Sequence, residues 1–383
     1  MRALCRVVWR EVGIIARRPL LWIATMGLPL FSAIFMCTIF GDGAIREIPI
    51  AVIDDDFTPT SRSIIRTIES SPTLTVSHHL RSDAEALVAM RRGEIYGYVR
   101  IPSNLSRSMV RGTHSAISYY YHYAFMSIGA QVEATLRTLL TIVSIEPQMT
   151  TATMLGVPDN QVSMLIDPLA DDTHPLGNAS LNYRTYLAEP IFFVVFQIVM
   201  LLTIVYTLGQ ERARGREWFD ASDHNLTIAL VGKLTPYFCA FVATGLASLS
   251  MIYGIVGITP SWGMVVAMVG LVVASLSLAT FIYSLSSNVS ITLSAASVIG
   301  SLGATLSGVT FPVASMYPIF RYVALLLPIR HFTIITQNLL YTEGGYGAIW
   351  WHATALALFL LLPFLAASRL RRSITSKDYG EIA

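Results

Sequence analysis

Six long apolar runs constrain this chain more than any other feature. They are Leu20–Phe40, Leu187–Leu208, Leu234–Ile258, Met264–Leu285, Ile291–Phe311 and Trp350–Ala367. A helix needs about 20 consecutive apolar residues to cross a bilayer. The balance of the chain agrees. It is 54% apolar and 13% charged, where soluble domains carry roughly 25% charged residues. The sequence therefore predicts an α-helical integral membrane protein with six transmembrane helices. Arg2, Arg6, Arg10, Arg17 and Arg18 precede the first run, as in a signal peptide. That run is longer than a signal core, and "GDGAIRE" after it offers no small-x-small cleavage site. A retained span is expected. The net charge of +2 is too small to suggest nucleic acid as a partner.

Lysine and arginine set the orientation of such a chain. Five arginines precede the first run. Arg212, Arg214, Arg216 and Lys233 lie between the second and third. Arg369, Arg371, Arg372 and Lys377 follow the sixth. Six spans with both termini cytoplasmic place all of these inside. The expected layout is an amphipathic N-terminal helix (1–19), a first span (20–40), an extracytoplasmic α/β domain (41–186), a membrane domain (187–367) and a cytoplasmic tail (368–383). Within the membrane domain, 209–232 is a cytoplasmic loop. The segment 312–345 is oily but broken by Pro318, Pro328, Arg321 and Arg330. Its pieces are too short to span, which suits a re-entrant helical hairpin or a pair of amphipathic surface helices.

The 41–186 segment reads as alternating strands and helices. Strands are expected at Ile48–Ile53, Ile95–Pro102 and Ala116–His122. Ser61 and Ser82 are positioned to cap helices, and an amphipathic helix is expected from Ser127 to Glu146. The first strand runs into Asp54, Asp55 and Asp56, then Thr58, matching the D-x-D-x-T pattern of haloacid-dehalogenase phosphatases. In those enzymes the first Asp is the nucleophile and Mg²⁺ is bound alongside. The segment has no lysine to neutralise a phosphoryl group, although arginines and Asp171–Asp172 are present. The plainer reading is that the aspartates close the strand and accept from turn amides. No metal site is expected.

Four stretches carry a resemblance. They are "IPIAVIDDDFTPTSRSIIRTIESSP" with "DAEALVAMRRGEIYGYVRIPSNLSRSMVRG", "LSGVTFPVASMYPIFRYVALLLPIRHFTIITQNLLYTEG", "GKLTPY" and "VVWREVGIIARRPL". In this order they resemble bacterial type-2 ABC exporter permeases, membrane subunits with a large extracytoplasmic domain between spans one and two. The family's "GT.E.L" run after the second span is replaced here by "ERARGREWFDASDHN". The resemblance implies an ATP-driven exporter in the bacterial inner membrane and a dimer with a second permease subunit. It also implies a separate ABC ATPase that binds ATP and Mg²⁺. This chain has no G-x-x-x-x-G-K-[ST], so it is expected to bind no cofactor and to catalyse nothing. A periplasmic adaptor protein is a further candidate partner, and membrane lipids surround the spans. A membrane-anchored receptor or scaffold is the alternative function.

Candidate residues follow. Glu211, Arg214, Gly215, Glu217, Trp218 and Phe219 lie in the loop that the resemblance assigns to the ATPase contact. Two aromatics among charges suggest anchors for a partner's pocket. The spans are nearly free of charge, which points to lipophilic cargo, drug-like or lipid-like. Glu189 is the exception, as a cargo contact or an interfacial helix cap. Ser294, Ser297 and Ser301 line one face of the fifth span, as cargo path, dimer seam or internal packing. Ser307, Gly308, Pro312, Pro318 and Pro328 shape the hairpin.

Overall fold

The computed structural model describes residues 2–41, 43, 45–111, 116–154, 182, 184–214, 217–255, 257–286, 288–341, 347 and 349–375. Asp171, Asp172, Gly215 and Lys377 lie outside the described residues. The chain divides into two compact units, residues 1–43 with 175–383, and residues 44–174.

The chain opens with α1 (Arg2–Arg17) and α2 (Pro19–Ile39), the first candidate span. The unit that follows contains β1 (Ile48–Asp54), α3 (Pro59–Glu69), β2 (Leu74–His79), α4 (Asp83–Arg91), β3 (Gly97–Ile101), α5 (Leu105–Arg111), β4 (Ser118–Tyr121) and α6 (Met126–Met154). Its sheet runs β2-β1-β3-β4, with β1 parallel to both neighbours and β4 antiparallel to β3. Strand β1 is central and covered on both faces, so its apolar run is continuous rather than alternating. Ile48, Ile50 and Val52 pack with Ile64, Ile68, Val132 and Leu136 on one face. Ala51 and Ile53 meet Ala86, Ala89 and Tyr98 on the other.

The segment "LTVSHH" is a strand, β2, beyond the three that the sequence predicts. It is an edge strand with only two apolar residues, so its pattern is weak. The first helix is capped by Thr58, not Ser61. Thr58 accepts from the Ser61 amide, and the Ser61 hydroxyl accepts from the Thr58 amide. This is a capping box, with Pro59 at the first helical position.

The three aspartates each have a structural partner. Asp54 Oδ1 accepts from the amides of Asp56 (3.0 Å) and Phe57 (3.1 Å), and Oδ2 accepts from the Ser61 hydroxyl (2.8 Å). Asp55 accepts from Arg100 Nε at 3.0 Å, and Asp56 from the Thr58 hydroxyl at 2.6 Å. The turn they close is tight, since Phe57 sits at φ 55°. Asp54→Ala strands two amides and a hydroxyl, and should cost this unit about 1–3 kcal/mol. Limited proteolysis of the full-length protein in detergent should show faster cleavage within residues 44–121. Asp54→Asn keeps one acceptor oxygen and should fall between.

The second unit is the helical bundle. Beyond α2 it holds α7 (Glu189–Ala213), the short α8 (Glu217–Asp220), α9 (Leu226–Gly254), α10 (Trp262–Leu285) and α11 (Val289–Leu306). It ends with α12 (Pro318–Leu325), α13 (Pro328–Tyr341), α14 (Trp350–Leu358) and α15 (Leu362–Thr375). Among the described residues, six stretches are long and apolar enough to cross a membrane, as the six runs predicted. The spans built on α7 and α10 are 72% and 67% buried, while the other four are 33% buried or less. These two form the axis of the bundle. Phe192 and Phe196 stack on α7, Phe196 meets Phe241 edge-on, and Phe193 packs at a tilt on Phe332. Helices α12 and α13 are bent by 86° to one another. Each begins with a proline at its first position, Pro318 and Pro328. A proline there loses no helical hydrogen bond.

Candidate functional site: a buried ionic cluster on the first helix

Helix α1 buries Ala3, Val7 and Glu11 on one stripe, four residues apart. A carboxylate thus occupies a position that periodicity reserves for apolar groups. The stripe faces the start of α9. The approach is close because Gly232 has no side chain: a Cβ there would lie 2.8 Å from Val7. The next residue, Lys233, is 1% exposed. Its ammonium donates to Glu11 Oε1 and Glu211 Oε1, both at 3.0 Å. Arg10 adds a forked contact to Glu211, at 3.0 and 2.8 Å, and a bond to Glu11 at 3.0 Å. The Tyr237 hydroxyl reaches Glu11 Oε2 at 3.4 Å.

Two cations and two carboxylates make the cluster neutral. Glu11 is fully buried and Glu211 is 1% exposed. Burial holds the Glu11 carboxyl above its ordinary range, the Lys233 ammonium pulls it down, and Glu211 pushes it up again. Charges this deep are tolerated only when paired. The cluster ties α1, the end of α7 and the start of α9 into one piece. Outside it, Arg10 approaches Glu217 at 3.5 Å, Arg18 donates to Gln210 at 3.2 Å, and Arg6 pairs with Asp223 at 2.6 Å. These contacts join α1 and the Arg18 that follows it to the 209–232 segment.

The structure brings together only some of the residues that the sequence suggested. Glu211 is inside the cluster and Glu217 is at its rim. Arg214 is partly buried nearby, and Gly215 lies outside the described residues. Trp218 and Phe219 are corrected. They are 3% and 7% exposed and belong to the core of this unit, so they are not partner-facing anchors. The turn after α8 folds over Phe219, whose carbonyl accepts from the Ser222 hydroxyl at 2.6 Å. Arg10, Glu11, Lys233 and Tyr237 were missed. A charge at the i+4 position of the α1 apolar stripe was the available signal.

Other candidates lie elsewhere in the bundle. Glu189 opens α7 and is 1% exposed, facing Thr336 and Tyr253. Its carboxyl is buried inside the bundle at the first turn of α7. Ser294, Ser297 and Ser301 are exposed along α11. Ala296, Gly300 and Gly303 occupy the opposite, packed face, where a Cβ on Gly300 would lie 2.7 Å from Ile198. The three serines therefore lie off the packed face of α11. Ser307 offers its carbonyl to Arg330 at 2.6 Å, and Gly308 beside it takes φ 94°. Pro312 precedes a single 3₁₀ turn, Val313–Ser315. His331 bonds the Leu325 carbonyl and His352, both at 2.9 Å, fastening α12, α13 and α14 together.

The fold is that of a multi-pass membrane protein, a helical bundle with six candidate spans among the described residues and a separate α/β unit that follows the first of them in sequence. A family model for ABC-2 family transporter proteins matches residues 19–369, and the chain belongs to that family. No curated protein matches it.

Proposed function

We propose that this chain is the permease subunit of an ATP-driven exporter in the bacterial inner membrane. The ATPase is a separate polypeptide, and ATP and Mg²⁺ bind there. Both termini face the cytoplasm, and the α/β unit, residues 44–174, is extracytoplasmic. The bent pair α12–α13 is a re-entrant hairpin. The exposed serine face of α11 meets a second permease subunit, and cargo is lipophilic, drug-like or lipid-like. A periplasmic adaptor is a further candidate partner of the α/β unit.

The observation that carries this reading is the neutral cluster of Arg10, Glu11, Glu211 and Lys233. An ATPase pressing on the exposed rim, at Glu217 and Asp220, acts on a piece that includes the end of one central span and the start of the next. Movement of the rim is then transmitted along α7, the most buried span of the bundle. A loosely attached loop would dissipate it.

Orientation is tested by single cysteines in a background lacking Cys5, Cys37 and Cys239. Cysteine at the exposed Ser103 should react with an impermeant maleimide on intact cells. Cysteine at the exposed Asp220 should react only after permeabilisation. Ser222 is buried and would be silent on either side. The reversed labelling pattern would reject the cytoplasmic ATPase contact.

A further inference from the structure

Glu189 is buried at the start of α7. Unlike Glu211 near the other end of that helix, it has no cation beside it among the described residues. Its carboxyl faces the hydroxyls of Thr336 on α13 and Tyr253 on α9. The Thr336 hydroxyl donates to the Thr333 carbonyl at 3.2 Å. Tyr253 Oη and Glu189 Oε1 are both buried without a hydrogen-bond partner. The π turn Arg184–Ala188 runs directly into α7, so no helix end aims free amides at the carboxyl.

The surroundings are otherwise apolar and closely packed. Phe192 and Phe193, one turn on from Glu189, are fully buried, and Phe193 lies 4.4 Å from Phe332 of α13. The other titratable groups on the packed elements are Tyr341 of α13, Tyr186 of the π turn, Cys37 of α2 and Tyr283 at the far end of α10. None is an ammonium, guanidinium or imidazole, and α11 has no titratable residue. Arg330 and His331, at the start of α13, are engaged instead with the Ser307 carbonyl, the Leu325 carbonyl and His352. A carboxylate requires donors or a cation, and this site supplies one phenol. Leaving the ion unpaired in an apolar interior costs far more than neutralising it. A carboxylic acid suits the same place, because its O–H donates to a hydroxyl oxygen while its carbonyl accepts from the phenol. A larger cation would need room that the packed rings do not leave, and a proton needs none.

We propose that Glu189 is a proton-binding site inside the bundle, filled while α13 is seated against α7. On seating, hydronium gives its proton to the carboxylate, so that one O–H bond forms and one water leaves. When α13 lifts away, water reaches the acid, takes the proton back and hydrates the carboxylate. Seating of α13 and uptake of one proton per chain are then a single event. This goes beyond the reading under Proposed function and requires neither an ATPase nor an orientation in the membrane.

Infrared spectroscopy of the full chain in detergent at neutral pH tests this. The difference spectrum between wild type and Glu189→Gln should contain the C=O band of a protonated carboxyl and no carboxylate band. Glu189→Gln is a neutral isostere and should unfold at nearly the wild-type temperature. Seating is read from a cysteine at Thr333, which is 1% exposed, in a background lacking Cys5, Cys37 and Cys239. Its rate of maleimide labelling is divided by that of the same cysteine in the Glu189→Gln protein, which cancels the pH dependence of the thiol. That ratio should rise about threefold or more as the medium is made alkaline, because only the seated form binds the proton. Carboxylate bands in the difference spectrum would overturn the proposal and point to a bound metal or organic cation. So would a Glu189→Gln protein that fails to fold, or a labelling ratio that does not change with pH. Absence of an ATPase partner would leave all three readouts as they are.

Discussion

Lys233→Met is expected to destabilise the bundle by about 3–5 kcal/mol, the cost of breaking a buried ion pair. The substitution keeps most of the side-chain volume, so packing changes little. It leaves Glu11 and Glu211 together with only Arg10 between them, and an excess negative charge in a site that water does not reach. The second half of the prediction is rescue. Lys233→Met combined with Glu11→Gln restores neutrality, leaving the forked Arg10–Glu211 contact in place. The double variant should recover more than half of the loss. Thermal unfolding of the purified protein in detergent is the measurement. A double variant less stable than Lys233→Met alone would show that charge balance is not what Lys233 supplies.

Trp218→Ala should cost about 3–5 kcal/mol in the permease itself, because it empties a large volume in a packed core. Trp218→Phe should cost much less. Any loss of a bound ATPase in the alanine variant should then follow loss of folded permease, in proportion. Charge reversal at Asp220, which is exposed, separates the two effects. It should leave the unfolding temperature nearly unchanged and weaken recovery of the ATPase. Normal unfolding of Trp218→Ala would mean that the indole does not hold the 209–232 segment against the bundle.

Much of this architecture is legible in the sequence, because a bilayer imposes a single demand on every span. The six runs overlap the six candidate spanning helices, and β1 is visible as a short continuous apolar run before a turn. The ionic cluster was hidden by the same test that found the spans. Reading hydropathy ends the second run at Leu208 and begins the third at Leu234. Glu211 and Lys233 therefore fall into a loop on paper. Backbone hydrogen bonding does not stop where hydropathy does. Helix α7 continues to Ala213, and α9 begins at Leu226 under an Asn225 cap. Both charges then sit on helices, facing α1. Trp218 and Phe219 are obscured for a related reason. Aromatics among charges suggest anchors for a partner, yet a four-residue helix, α8, turns both rings inward and leaves Glu217 and Asp220 outside. The aspartates of β1 show the reverse case. Asp54 and Asp56 accept from groups of the turn and its helix cap, and Asp55 accepts from Arg100 on β3.

The central claim is that this chain transmits the work of a separate ATPase across a membrane. Isolation from its native membrane in mild detergent tests it most directly, followed by transfer into nanodiscs and assay of Mg²⁺-dependent ATP hydrolysis. The account predicts a stoichiometric partner polypeptide with a G-x-x-x-x-G-K-[ST] motif. It also predicts ATP turnover that falls severalfold when Lys233→Met permease replaces the wild type. Recovery of the chain as a folded dimer with no such partner and no ATP hydrolysis would contradict it, and would leave a membrane-anchored receptor as the better description.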